Sequence, residues 1–290
     1  MPARPAPPAH SPSPEGPAAA PEGPGFGGGS GGGSGERGLR RAWFASDMHL
    51  HAGDPETVQR AVAWVARARS AGAQAVFLLG DVFRAWLGRD SLLDPGLAPF
   101  LEALEQARAA GLRVVLLHGN HDFLMGDELR EALDVEVVGR SLDVVLGGRR
   151  VRLLHGDAFC TLDRDYHRLH AVLRCRPVRW TLLHTPRRAL MGVAAALMVG
   201  ASRFTRAKSL AVMDIVDAEV EQTLASGADA VICGHVHRAR DARLGSGRLL
   251  VMADFESTGS HVVYDEQGLR LVARDESLAR PRPPVLAMDG

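Results

Sequence analysis

At 290 residues, 46% of them hydrophobic, the chain is long enough to bury one large core or two small ones and is not a disordered protein. Its 34 basic residues balance 34 acidic ones, which excludes a chain-wide attraction to nucleic acid or anionic membrane and leaves only local patches. Three cysteines, Cys160, Cys175 and Cys233, are odd in number and lack CxxC spacing, which fits a reducing compartment rather than a disulfide framework.

Residues 1–38 are Pro, Ala, Gly and Ser with almost no large apolar side chain, so they are expected to form a disordered tail. No basic start followed by an apolar stretch marks a signal peptide. From Leu39 the pattern changes. The runs "RAWFASD", "QAVFLLGD", "LRVVLLHGN", "RRVRLLHGD" and "DAVICGH" read as buried strands, each ending in Gly or Ser beside Asp, Asn or His. Between the first three, Glu56 to Ala71 and Leu97 to Ala110 carry apolar residues at helical spacing. Alternating strands and helices predict an α/β fold, with ligands bound at the carboxyl ends of the strands. Near the end, "RLLVMADF", "SHVVYDEQG" and "LRLVAR" predict antiparallel strands, and the Pro/Arg-rich chain after Ala273 is expected to be loose.

The strand ends carry the chemistry. They present Asp47 and His49, then Asp81, Asn120, His155, and His235 with His237. One such residue is an ordinary turn or cap. Five successive strand ends bearing them form a donor set suited to two divalent cations, with Asp81 placed to bridge.

The order D-x-H, G-D, G-N-H-D, H-G, G-H-x-H resembles the calcineurin-like metallophosphoesterases over Phe44 to His237. The resemblance implies a β-sandwich flanked by helices across residues 39–275, with a helical lid inserted at 160–212 and a loose tail at 276–290. It also implies the ligand sets: one metal on Asp47, His49, Asp81 and His237, the other on Asp81, Asn120, His155 and His235. An activated water would then attack phosphorus in line. "GDVFRAWLGRD", "HGNHDFLMG", "LLHGDAFCTLD", "AKSLAVMDIV" and "ADFESTGS" are most similar to the UDP-2,3-diacylglucosamine diphosphatases. Those enzymes use manganese and make UMP and an acylated glucosamine 1-phosphate in lipid A biosynthesis. Residues implied to touch substrate are Asn120, His121, Asp163, Thr205, Lys208 and His235, with His121 as a catalytic group oriented by Asp122. Lys208 is the only lysine in the chain, a point charge kept where every other cation is arginine.

Arg164 to Lys208 holds ten basic residues against one acid, interleaved with aliphatics, and its apolar runs fall short of the about 20 residues that span a bilayer. Such segments lie on an anionic membrane surface or cap an acyl-chain pocket, which places the protein in the cytoplasm, peripheral to the bacterial inner membrane. Because the aliphatics are not stacking aromatics, no nucleic-acid partner is expected. Two positions depart from the diphosphatase pattern: His121 replaces an arginine and Leu162 an acid. A phosphate-type leaving group with a pKa of about 6 departs without a proton, whereas an alkoxide needs a general acid. The alternative reading is therefore another phosphoesterase, acting on a nucleotide diester, a nucleoside polyphosphate or a phosphomonoester.

Overall fold

The computed structural model describes residues 38–186, 189, 190, 192, 212 and 214–280. Two sheets face each other. The first runs β11-β10-β1-β2-β3-β4, built from β1 (Ala42–Ala45), β2 (Ala75–Leu79), β3 (Arg113–Leu117), β4 (Glu136–Val138), β10 (His261–Asp265) and β11 (Gly268–Val272). The second runs β5-β6-β7-β9-β8, from β5 (Ser141–Leu146), β6 (Arg149–Leu154), β7 (Ala230–Cys233), β8 (Arg240–Leu244) and β9 (Gly247–Val251). Strands β1 to β4 pair in parallel, as do β6, β7 and β9.

Side-chain alternation gives the central strands two buried faces. Phe44, Phe77, Leu79, Val115 and Leu117 meet Val151, Leu153, Ile232 and Leu250 between the sheets. The neighbouring Trp43, Val76, Leu78, Val114 and Leu116 pack outward against helices α1 (Pro55–Ser70) and α3 (Ala98–Ala109). Val231, Cys233, Leu249 and Val251 pack against Val220 and Leu224 of the helix Asp217–Ala225. This is the flanked β-sandwich expected of the family pattern. Both helices read from periodicity are present, and α1 is capped by Asp54, whose carboxylate accepts from Thr57 N–H at 3.2 Å.

Short helices α2 (Arg89–Leu92) and α4 (Asp127–Leu133) follow β2 and β3. Within the 160–212 insertion, α5 (Arg164–Arg174) and α6 (Arg176–Leu183) are described, and most of the remainder, including Thr205 and Lys208, lies outside the described residues. So does residue range 1–37 of the expected tail.

Two expectations need correcting. "RLLVMADF" does not join the late hairpin of β10 and β11: its strand β9 lies in the other sheet, parallel to β7 and antiparallel to β8. Nor are residues 276–280 loose, while 281–290 of the expected tail lie outside the described residues. Leu278 is buried against the α1 layer, and Arg280 pairs with Asp54 and Glu256. Leu278→Ala is therefore expected to cost about 2–3 kcal/mol, the usual cost of emptying a buried leucine site, in urea unfolding. An unchanged midpoint would mean that this segment adds nothing to the core.

Candidate metal centre

The parallel strands of both sheets end at one rim, and each ligand-type residue follows directly from a strand end. Among the described residues six non-glycine positions have left-handed backbone: Asp47, His49, Asp81, His235, His237 and Asp134, with φ between 47° and 73°. The last only ends α4. The other five are all expected metal ligands. Left-handed geometry costs on the order of 1 kcal/mol or more per residue, so the surrounding packing must impose it. Two glycines let the loops close. A Cβ on Gly119 would overlap Asp81 Oδ1, and one on Gly234 would overlap Ser46 Oγ and Asp47 Oδ2.

One half of the centre gathers Asp47, His49 and His237. Asp47 Oδ1 lies 3.2 Å from His237 Nε2, and His237 Nε2 lies 3.4 Å from His49 Nε2. Asp47 Oδ2 is already committed, accepting from Ser46 Oγ–H and from His235 N–H at 2.9 Å. The other half gathers Asn120, His155 and His235. His155 Nε2 is 2.9 Å from Asn120 Oδ1 and 3.1 Å from His235 Nδ1, and Asn120 Oδ1 is 3.2 Å from His235 Nδ1. Asp81 stands between them. Its Oδ2 is 3.4 Å from His155 Nε2, and its carboxylate also groups with His49 and His121. All seven expected ligands converge.

Electrostatics here are dominated by burial and by opposed charges. Burial would raise the Asp47 pKa, but the facing His237 and nearby His155 outweigh it and hold the acid at about 2. Burial would lower His155, yet Asp81 and Asp47 beside it hold the imidazole at about 10. His155 Nδ1 lies 3.0 Å from Leu79 O, so its proton donates to that carbonyl and Nε2 is aimed into the centre.

His121 lies at the edge of the centre, Nε2 3.8 Å from Asp81 Oδ2 and Nδ1 3.2 Å from Arg84 O. Asp122 does not orient it. The Asp122 carboxylate is buried and accepts backbone N–H groups instead, from Gly119 and Val82 at 2.8 Å each and from Asp81 and Phe83 at longer range. It is a positioning residue. Asp163 caps α5, accepting from Tyr166 N–H at 3.1 Å.

Reading the insertion by composition missed an inward face. Tyr166, His170 and Arg174 recur every four residues on α5, and the Tyr166 ring centroid lies 5.8 Å from that of His235. Tyr166 Oη and His170 Nδ1 are buried without hydrogen-bond partners. Arg174 donates to Asp157 Oδ2 at 3.0 Å and Gly119 O at 2.9 Å, and Arg179 donates to Met125 O at 2.8 Å. Two of the ten basic residues counted as surface charge thus fasten the insertion to the metal-site loops. The four-residue spacing was the available signal.

The donor set fits divalent cations. Asp47 Oδ1 is buried and makes no hydrogen bond of sound geometry, and imidazole nitrogens face one another at 3.1 and 3.4 Å, where a shared cation satisfies lone pairs that cannot satisfy each other. A ligating His155 must give up the proton it holds below pH about 10. Binding of manganese at pH 7 should therefore release about one proton or more per protein, declining as pH approaches 10. Calorimetry in buffers of different ionisation enthalpy measures this. Proton-neutral binding would remove His155 from the ligand set.

A model of the calcineurin-like phosphoesterase family matches residues 40–239. The chain is 32% identical over 231 residues to the UDP-2,3-diacylglucosamine hydrolase of Pseudomonas putida, covering 78% of this chain and 95% of that protein. It is 34% identical over 233 residues to the protein of the same name from Cellvibrio japonicus, covering 79% and 96%. Among solved structures, a dimetal phosphatase from Danio rerio aligns with a TM-score of 0.46 at 12% identity, over 79% of this chain and 94% of that one. With the ligand constellation in place and the family model spanning it, the chain belongs to the calcineurin-like phosphoesterases and is a metal-dependent hydrolase.

Proposed function

We propose that the protein hydrolyses UDP-2,3-diacylglucosamine to UMP and 2,3-diacylglucosamine 1-phosphate, a step of lipid A biosynthesis, with two manganese ions on the seven converging residues. The observation that carries this reading is the way α5 and α6 are fastened over a phosphoester centre while leaving Val172, Trp180 and Leu183 exposed (58%, 63% and 41%). An amphiphilic substrate needs that combination, a polar reaction centre beside uncovered apolar surface. The names of the curated relatives support the same substrate.

When bound, the two cations would neutralise charge on the phosphoryl oxygens and acidify the attacking water. The chain's own residues do the rest. Asp47 and Asp81 stay ionised because the imidazoles around them offset their burial. Asn120 Oδ1 faces His155 and His235 and leaves its amide N–H₂ as a donor for a phosphoryl oxygen. His121 Nδ1–H donates to Arg84 O, so the ring meets the substrate through Nε2, and the imidazolium form can donate there to the leaving phosphate.

Among the described residues no helix is long and apolar enough to cross a membrane. We place the protein in the cytoplasm against the inner-membrane face, held by the apolar and basic surface of the insertion, with Asp163, Thr205 and Lys208 as substrate contacts and no nucleic-acid partner.

Incubation with UDP-2,3-diacylglucosamine and manganese in oxygen-18 water should yield UMP and the sugar-lipid phosphate, one of them carrying the label. Failure to turn over this substrate, with bis-p-nitrophenyl phosphate still hydrolysed, would move the protein to a different phosphoester.

The His121 side chain offers a second test. With a phosphate leaving group, His121→Ala should lose ~10²-fold in kcat and His121→Arg should keep most activity, since charge suffices. A substrate that releases an alcohol needs a proton that arginine does not give up. Equal collapse of both variants at saturating manganese would favour the nucleotide diester.

A further inference from the structure

Next to His121, on the loop that carries His49, two hydrogen-bond donors meet with no acceptor between them. His51 Nδ1 accepts Gly53 N–H at 3.2 Å, within a turn closed by Asp54 N–H donating to His51 O at 3.0 Å. A neutral imidazole has one lone pair, and that turn uses it. His51 Nε2 then carries the proton, yet it lies 3.3 Å from Arg84 Nη1. A guanidinium has donors only. Two N–H donors 3.3 Å apart are reconciled by an anionic oxygen that accepts from both.

Arg84 is placed firmly while its charge is left unanswered. Its backbone N–H donates to Leu50 O at 3.1 Å, its carbonyl receives His121 Nδ1, and Leu50 bridges Phe83. The side chain is exposed, and among the described residues no carboxylate pairs with it. It lies on the loop after β2, bonded to the His49 loop through Leu50 O and to the His121 ring, and the His49 and His121 ring centroids are 5.1 Å apart. Two bound divalent cations would exceed the charge of Asp47 and Asp81 and make this rim electropositive, where a further guanidinium is tolerable when an anion joins it.

We propose that Arg84 and His51 form an anion subsite for a second phosphate of the substrate, the one not undergoing attack. The inference rests on the reading of the substrate as a diphosphate, and it adds to the metal ligands a pair of residues that selects two phosphates over one. A guanidinium and an imidazole N–H reading one phosphate make charge-assisted bonds, strong enough to shift affinity by about tenfold.

The test is a binding comparison. Calorimetry with manganese-loaded protein at fixed free manganese gives dissociation constants for UMP and UDP. The wild type should prefer UDP by about tenfold or more, and Arg84→Ala should bring that preference to within about twofold of unity while UMP binding shifts little. Arg84→Lys, a point charge in place of a fork, should recover part of the preference, and His51→Ala should reduce it in the same direction. Both truncations remove exposed or half-buried side chains and leave the backbone bonds in place, and circular dichroism checks that they fold. Arg84→Ala weakening UMP and UDP equally, or altering neither, overturns the proposal. Absence of lipid turnover would defeat the substrate assignment and leave this comparison standing.

Discussion

The candidate metal centre depends on a buried carboxylate outside its expected ligand set. Asp122 sits on the loop after β3 and accepts N–H groups from Gly119 on its own loop and from Asp81, Val82 and Phe83 on the loop after β2. Burial and the nearby Asp81 charge push its pKa up to about 6, while the amides oppose that shift. Such a carboxylate holds two irregular loops in register where no sheet ladder reaches them. Asp81 and Asn120 are the expected ligands those loops carry, one from each. Their separation is therefore set by a group whose sequence position suggests a partner that orients His121.

Around that tie, strain and rigidity are divided between different parts of the chain. The strands β1, β2, β3 and β7 are buried on both faces and regular throughout. Past β1, β2 and β7 the backbone departs from regular geometry within four residues, where Asp47, His49, Asp81, His235 and His237 take left-handed φ. Side chains released in this way turn back over the rim rather than continuing along the pleat. Three apolar clusters, one between the sheets and one outside each, hold the strands still enough for the strained ends to stay converged.

Much of this was legible in the sequence for a simple reason. Strands buried on both faces have to be continuous apolar runs, and a ligand at a strand end has to interrupt such a run beside a glycine, so "LLGDV" and "ICGHVH" announce both. The α1 and α3 helices show because their apolar stripes face one sheet only. What stayed hidden depends on direction or partner choice. The β9 run is as apolar as β10, and composition does not say which sheet receives it. Arg174 and Arg179 look like any surface arginine until α5 and α6 are seen docked. Leu278 is one apolar residue in a Pro/Arg-rich context, too little for any periodicity. Asp122 stands in a motif that carries catalytic residues, and only the hydrogen-bond geometry separates its role from theirs.

The bond from Arg174 to Gly119 O links two equilibria. Asp157 is buried beside His155 and kept ionised near a pKa of about 2, where burial opposes and His155 and Arg174 favour the charge. Lifting α5 away would strip Asp157 of its guanidinium partner and release the carbonyl next to Asn120 in the same motion. Movement of the insertion and movement of the Asn120 loop would therefore be linked, and by reciprocity a ligand held by that loop would favour the docked helix. Arg174 thus ties the insertion to the loop that carries Asn120 while touching neither the expected ligand atoms nor the exposed apolar face.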